Sequence, residues 1–451
     1  MAPRRNYLAL VPFAEPNLWH DLRADHGITP RTGIARYIDF AQQAEAARLD
    51  ALFKADFLGF DKFHIRHDPD MLTEPLAVSA ALASVTRHIG LVVTASTSFF
   101  EPYNVARQIA TLHYVSGGRA GWNAVTSYNG EVNFGPATLG TPAERYDRAT
   151  EFTEVVVKLW DGWEPGALSY LADGTSVVDP ARIHDTNHVG THFSVEQALD
   201  VSRIVEDLPV VFQAGASEDG IRFAARFGEA IFVATPDLAH AREYYDQVKR
   251  LVAGNGRHPD SLRVLPGIRI FIGDTEQEAW ELYRDAFKDD GFYEDRRKFV
   301  KREAPAIDLD GLDLDDVIPL ERIPSRDTML AARRRVSRGL LLHDFITERE
   351  NITVRQFLER LHGGGHLLAI GTPRQVADLF AEWFTVRACD GFTLQGGGSF
   401  ARFAGEVLPL LREKGLVREE YEGETLRANL GLEQYHLAVH GKLAVHGKEA
   451  P

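Results

Sequence analysis

Ser116-Gly-Gly-Arg-Ala-Gly-Trp-Asn-Ala-Val-Thr-Ser127 closes one element and opens another. The residues before it, Gln108 to Val115, carry a helical pattern. Gly117-Gly118 supply the left-handed residues that commonly end a helix. Gly121 to Thr126 then reads as a strand that carries Asn123 and Ser127 towards its carboxyl end. Two small polar side chains at a strand exit suit a polar ligand such as a phosphate. An ordinary helix-to-strand connection leaves the same signature.

The same rhythm extends in both directions. Short apolar runs read as strands at Tyr7–Val11, Ala51–Lys54, Ile89–Thr97, Gly121–Thr126, Pro209–Gln213, Ala230–Ala234, Val264–Ile272 and Gly391–Leu394. Amphipathic stretches between them read as helices, among them Ile34–Leu49, Pro75–Val85, Arg145–Trp160, Asp219–Phe227 and Arg374–Ala388. Such alternation predicts an α/β chain with a parallel sheet, closed as a (β/α)8 TIM barrel with helices outside. An open doubly wound sheet accepts the same rhythm.

Two segments break the pattern as insertions. Residues of about 164–208 carry turn signals such as Asp173-Gly174 and read as a loop with a hairpin. Residues of about 289–365, between the seventh and eighth strands, include an acidic stretch from Glu303 to Pro319, expected to be a solvated loop. The place of this second insertion at the rim of a barrel makes it a candidate lid over a single barrel domain.

Composition narrows the function classes. A chain of 451 residues, 44% hydrophobic, can bury a large core. A net charge of −15 argues against a nucleic-acid or anionic-membrane surface. Cys389 is the only cysteine, which excludes an intrachain disulfide and fits a reducing cytoplasm. The apolar run from Tyr7 to Phe13 is too short for a signal peptide, so a cytoplasmic protein without membrane spans is expected.

Candidate functional residues gather at strand exits: Asp56 after the second strand, Thr94 and Ser96 at the third, Asn123 and Ser127 at the fourth. Active sites of closed parallel barrels lie at these ends. Ser217, in Gln213-Ala-Gly-Ala-Ser-Glu-Asp-Gly220, reads as a helix N-cap, and a helix N-terminus presents N–H groups to a phosphate. Capping alone also explains it. His64-Ile-Arg-His67 has the spacing of two metal ligands but no carboxylate motif completes it, so no metal is expected. The glycine runs Gly363–Gly365 and Gly396–Gly398 lack both the Walker lysine and a dinucleotide-site context.

Taken with Leu52-Phe-Lys-Ala-Asp-Phe57, Thr94-Ala-Ser-Thr-Ser98, Glu144-Arg-Tyr146, Gln213-Ala-Gly-Ala-Ser217, Gly371-Thr-Pro-Arg-Gln-Val-Ala-Asp378 and Glu420-Tyr-Glu-Gly-Glu-Thr-Leu-Arg427, the chain resembles the bacterial-luciferase-like flavin monooxygenases. The branch it resembles holds nitrilotriacetate monooxygenase, pristinamycin IIA synthase and dibenzothiophene-sulfone monooxygenase. The resemblance implies the oxygenase component of a two-component system, using reduced FMN (FMNH2) and O2 through a flavin peroxide to oxygenate a small organic substrate. It implies a separate NAD(P)H-dependent flavin reductase as partner and a homodimer or homotetramer. It maps Asp56, Thr94, Asn123, Ser127, Tyr146 and Ser217 onto flavin contacts, with Tyr146 and Ser217 at the phosphate. His20 and His343 become candidates to hold a peroxide or guide a proton. Pro142 departs from the family, which usually has a flavin-contacting histidine there. Other readings are a non-catalytic flavin-binding relative, an F420-dependent hydride-transfer enzyme and, more distantly, a metal-dependent barrel hydrolase.

Overall fold

A computed structural model describes residues 7–19, 33–60, 73–127, 129–135, 139–288, 291–330 and 336–433. Nine parallel strands form the central sheet: β1 (Ala9–Pro12), β2 (Ala51–Lys54), β3 (Gly90–Ser96), β4 (Ala120–Val125), β5 (Val210–Ala214), β6 (Ala230–Val233), β7 (Arg263–Ile272), β8 (Leu367–Gly371) and β9 (Gly391–Gly397). Their order is β1-β9-β7-β6-β5-β4-β3-β2, with β8 beside β7. A parallel bridge from Phe13 to Phe53 brings the ends of this path together, and the Ala14 N–H donates to the Phe53 carbonyl at 2.9 Å. The path is therefore a nearly closed barrel, as the strand–helix rhythm predicts.

Eight strands make up the path, the count expected, and a ninth, β8, lies off it beside β7. Residues Arg263 to Pro266 of β7 pair with β6, and Ile268 to Ile272 pair with β8. Thus β8 takes over the edge of β7 where β6 stops. A five-residue apolar run beside three glycines carries no period that separates strand from loop, so sequence reading missed it.

Helices wrap the outside: α1 (Gly33–Ala46), α2 (Pro75–Ala83), α3 (Pro102–Val115), α4 (Pro142–Asp161), α5 (Glu218–Phe227), α6 (Leu238–Gly254) and α7 (Glu276–Asp285). Alternate strand positions face them, as where Phe392 packs on Phe380 at 4.6 Å between ring centroids. The opposite parity fills the barrel with Ala9, Val11, Phe53, Val92, Val210 and Leu265. No described helix is long and apolar enough to cross a membrane.

The rim insertion contains α8 (Phe292–Glu303), α9 (Val336–Thr347) and α10 (Val354–Arg360), after which α11 (Pro373–Thr385) resumes the outer ring. It has an apolar cluster of its own, including Val300, Leu342, Ile346 and Phe357. Ile307, Leu309 and Ile318 are buried in that cluster, and the Ile318 N–H donates to the Ile352 carbonyl at 3.0 Å. The acidic stretch is therefore not a wholly solvated loop: its aspartates line the outside of a segment pinned by three apolar side chains, and Glu303 at its start is buried. The first insertion forms two hairpins, Leu168–Tyr170 with Ser176–Val178 and His188–Val189 with Ser194–Val195.

The amino-terminal end of the barrel is plugged by the chain's own carboxyl-terminal segment. Leu426, on the short helix α12 (Leu426–Asn429), and Leu430 belong to the interior cluster. A Cβ on Gly90 would lie 2.4 Å from Leu426 Cδ1, so the first residue of β3 has no room for a side chain. Buried guanidiniums anchor the plug: Arg427 on Glu229, Arg418 on Asp50 at 2.6 Å, and Arg263 on the carbonyls of Leu430 and Gly431. Leu426→Ala should lower unfolding stability by about 2–5 kcal/mol. Urea denaturation checks this, and a loss below about 1 kcal/mol would show that the plug is not part of the cooperative core.

Candidate active site

The carboxyl end of the barrel gathers the predicted residues into two clusters. In the first, the Lys54 ammonium at the end of β2 is buried against Glu15 at 2.9 Å. The Lys54 carbonyl accepts the Thr94 hydroxyl at 2.9 Å, and Asn123 Nδ2 donates to Thr94 Oγ1 at 2.9 Å. A threonine hydroxyl has one proton. Because that proton goes to Lys54, Thr94 can only accept from Asn123, which fixes the orientation of the amide. Among the described residues Asn123 Oδ1 is left buried without a hydrogen-bond partner. An orphan acceptor of this kind costs about 1–3 kcal/mol unless a ligand donates to it. Beside it the Ser96 and Ser127 hydroxyls meet at 2.7 Å.

In the second cluster Ser217 caps α5, its Oγ accepting the Gly220 N–H at 3.2 Å. The Tyr146 hydroxyl stands beside the Thr126 and Ser217 side chains, and burial pushes its phenol above the ordinary range. It is thus a neutral donor at physiological pH. A Cβ on Gly220 would lie 2.8 Å from the Tyr146 hydroxyl, so glycine keeps this turn open. The Gly215 carbonyl accepts from Tyr244 at 2.8 Å, which holds the turn before the helix. Two hydroxyls over a helix N-terminus make an anion cradle. Gln213, whose amide packs against the same glycine turn, was missed as a site residue although it opens the quoted motif.

Asp56 stands between β2 and the rim, half-buried. Burial pushes its carboxyl up to about 6, with Glu74 acting in the same direction and the Phe57 N–H and Lys54 opposing. Pro142 starts α4 behind the N-cap Thr141, which forms a capping box with Glu144. Proline suits a first helical position, so the departure from the family pattern becomes a helix start. A cavity of about 380 Å³ adjoins this region. Its lining mixes Glu101, Glu131 and Glu144 with Arg145, Arg148 and His192.

Of the two candidate catalytic histidines, the described one, His343, does not join these clusters. His343 sits on α9 in the insertion, its Nδ1 2.8 Å from Asp344, which is itself paired with Arg326. His20 and the pair His64 and His67 lie outside the described residues. Among the described residues no group of three His, Cys, Asp or Glu side chains is placed to hold a metal.

The model of the luciferase-like monooxygenase family matches residues 19–388. The chain belongs to that family. It is 38% identical to N-acetyl-S-(2-succino)cysteine monooxygenase of Bacillus subtilis (strain 168), over 88% of this chain and 89% of that protein. It is 38% identical to nitrilotriacetate monooxygenase component A of Aminobacter aminovorans, over 89% of this chain and 90% of that protein. The fold matches EDTA monooxygenase from Chelativorans sp. BNC1 with a TM-score of 0.73 at 31% identity, covering 95% of this chain and 99% of the other. The enzyme class expected from the motifs, a flavin-dependent monooxygenase, therefore stands.

The raised Asp56 carboxyl has a consequence for stability. The native state holds this proton more tightly than the unfolded chain, so stability from this group is full below the ordinary value of 3.8 and is lost as pH rises to about 6. Asp56→Asn cannot ionise and should escape that loss. Thermal melts should show the variant gaining on the native protein between pH 4 and pH 7. An equal difference at both pH values would place the carboxyl in ordinary solvent.

Proposed function

We propose that the chain is the oxygenase component of a two-component monooxygenase that takes reduced FMN from a separate NAD(P)H-dependent flavin reductase. The observation that carries this reading is the pairing of an anion cradle at Tyr146 and Ser217 with the orphan Asn123 Oδ1, both at the mouth of a luciferase-like barrel. The donor set fits FMN: the Tyr146 and Ser217 hydroxyls and the first turn of α5 suit its phosphate. Asn123 Oδ1 suits a ribityl hydroxyl or a ring N–H. Thr94 and Ser127 fix the neighbouring wall, and Asp56 accepts hydrogen bonds at the ring when ionised.

When bound, reduced FMN supplies the two electrons that let O2 deliver one oxygen atom to an organic substrate and the other to water. The protein's part is to bind, orient and keep water out. Its apolar interior, with Phe53 and Leu265, and its rim insertion serve the last task, and the insertion acts as a lid over one barrel domain. His20 and His343 are the residues to test for holding a proton. The cavity beside α4, with both signs of charge in its lining, suits a small polar substrate. A homodimer or homotetramer in the cytoplasm is the assembly we expect.

Anaerobic titration with photoreduced FMN, followed by rapid mixing with oxygen, tests this directly. Tight binding and a transient absorbance distinct from both reduced and oxidised FMN are expected. Binding without a transient would favour a flavin carrier, and no binding would favour a deazaflavin enzyme. Tyr146→Phe and Ser217→Ala should each weaken FMN by roughly tenfold, about 1.4 kcal/mol. Unchanged affinity in both variants would return these hydroxyls to packing and capping.

A further inference from the structure

The wall opposite Asn123 carries a second orphan. Gln395 lies near the end of β9, and its Nε2 is buried without a hydrogen-bond partner among the described residues. Phe392 and Leu394 pack outward with α11 and its neighbours, so Gly391 and Thr393 face the interior, and Gln395 follows them at a bulge, where it and Gly396 together stand opposite Arg269 of β7. One residue pair below, Thr393 sends its hydroxyl towards the Leu265 carbonyl at 3.4 Å inside the barrel.

The backbone that carries Gln395 has little freedom to turn the amide away. Gly396 has φ +75° and Gly397 φ +130°. A Cβ on Gly396 would lie 2.2 Å from the Leu18 carbonyl oxygen, and one on Gly397 would lie 2.3 Å from that of Ile270. The strand end is thus wedged between the turn Pro16–Leu18 and β7. The Gly398 N–H donates to the Ile270 carbonyl at 2.7 Å and closes the wedge. Gly396–Gly398 is therefore no phosphate loop: its glycines are needed for close backbone approach.

The strand order says what would meet this amide. The anion cradle lies at the exits of β4 and β5, so a ligand held there by its phosphate extends across the mouth. In the order β1-β9-β7-β6-β5-β4-β3-β2, the strand facing β5 is β1. Its two neighbours are β9, carrying Gln395, and β2, which leads to Asp56. The far end of a flavin is its ring system, whose pyrimidine edge presents two carbonyl oxygens around an N–H. An amide donor on one side and a carboxylate acceptor on the other match that edge.

We propose that Gln395 is a further cofactor-binding residue, its Nε2 donating to a carbonyl oxygen at the pyrimidine edge of the flavin. The inference rests on the FMN reading above and extends it to a residue outside the family motifs. Gln395→Leu keeps the size of the side chain and removes the donor. It should leave the melting temperature of the ligand-free protein unchanged or higher, because an unsatisfied buried donor is lost. Affinity for FMN, measured by anaerobic titration of the reduced form and fluorescence quenching of the oxidised form, should fall about tenfold. Difference infrared spectra of bound FMN should show a carbonyl stretch moving to higher frequency.

Gln395→Glu supplies an independent variant. It should bind FMN more weakly than Gln395→Leu at pH 8, where two negative oxygens face the carbonyl, and recover part of the affinity at pH 5. Wild-type affinity and an unshifted carbonyl stretch in either folded variant would overturn the proposal while leaving the FMN reading intact. Failure of the native protein itself to bind FMN would instead overturn that reading, and this inference with it.

Discussion

The packing of Phe13, Phe53, Phe212 and Phe232 across the barrel axis is the interaction on which the rest depends. Phe13 and Phe53 lie 5.0 Å apart, Phe13 and Phe232 5.7 Å, and Phe53 is 6.2 Å from both Phe212 and Phe232. Tilted and edge-on contacts of this kind are the favoured aromatic geometries. The rings divide the interior in two. Below them Leu426 and Leu430 complete an apolar plug, and above them the strand exits are free to carry polar groups. Without this floor, the orphan atoms at the mouth would have water beneath them and no reason to await a ligand.

Polar groups on the two sides of the floor are handled in opposite ways. Below it, charge is matched within the protein: Arg427 with Glu229, Arg418 with Asp50, Lys249 with Asp390 at 2.8 Å. Breaking any such pair strands a buried charge, which is why the plug holds one position. Above it, matching is left incomplete. Glu15 and Lys54 neutralise one another behind the wall, while Asn123 Oδ1 and Gln395 Nε2 keep unmet capacity. On the proposed reading, a barrel that receives a separate cofactor keeps part of its hydrogen bonding in reserve, and the stable lower half offsets that cost.

Much of this was legible in the chain itself. Short apolar runs and helical patterns located eight of the nine strands and the outer helices, because burial on both faces of a strand and on one face of a helix is written locally. Ser217 announced itself as an N-cap, and Thr141 with Glu144 shows why Pro142 is tolerated where the family pattern has another residue. The short strand β8 was not legible, since five residues beside glycines carry no distinguishing period. Nor was the division of the acidic stretch into buried Ile307, Leu309 and Ile318 and exposed aspartates.

Local pattern determined the alternation of elements, the strand exits at which polar residues would cluster, and the family likeness of the motifs. Tertiary structure decided which of those residues meet. It joined Tyr146 to Ser217 and Thr94 to Asn123, tied His343 into the insertion, and set Gln395 across from Asn123. The physical reason is that a strand's inward face is a local property of its sequence, whereas the partner it faces depends on the order and closure of the barrel. Whether a buried amide finds a partner can be known only when every wall around it is in place.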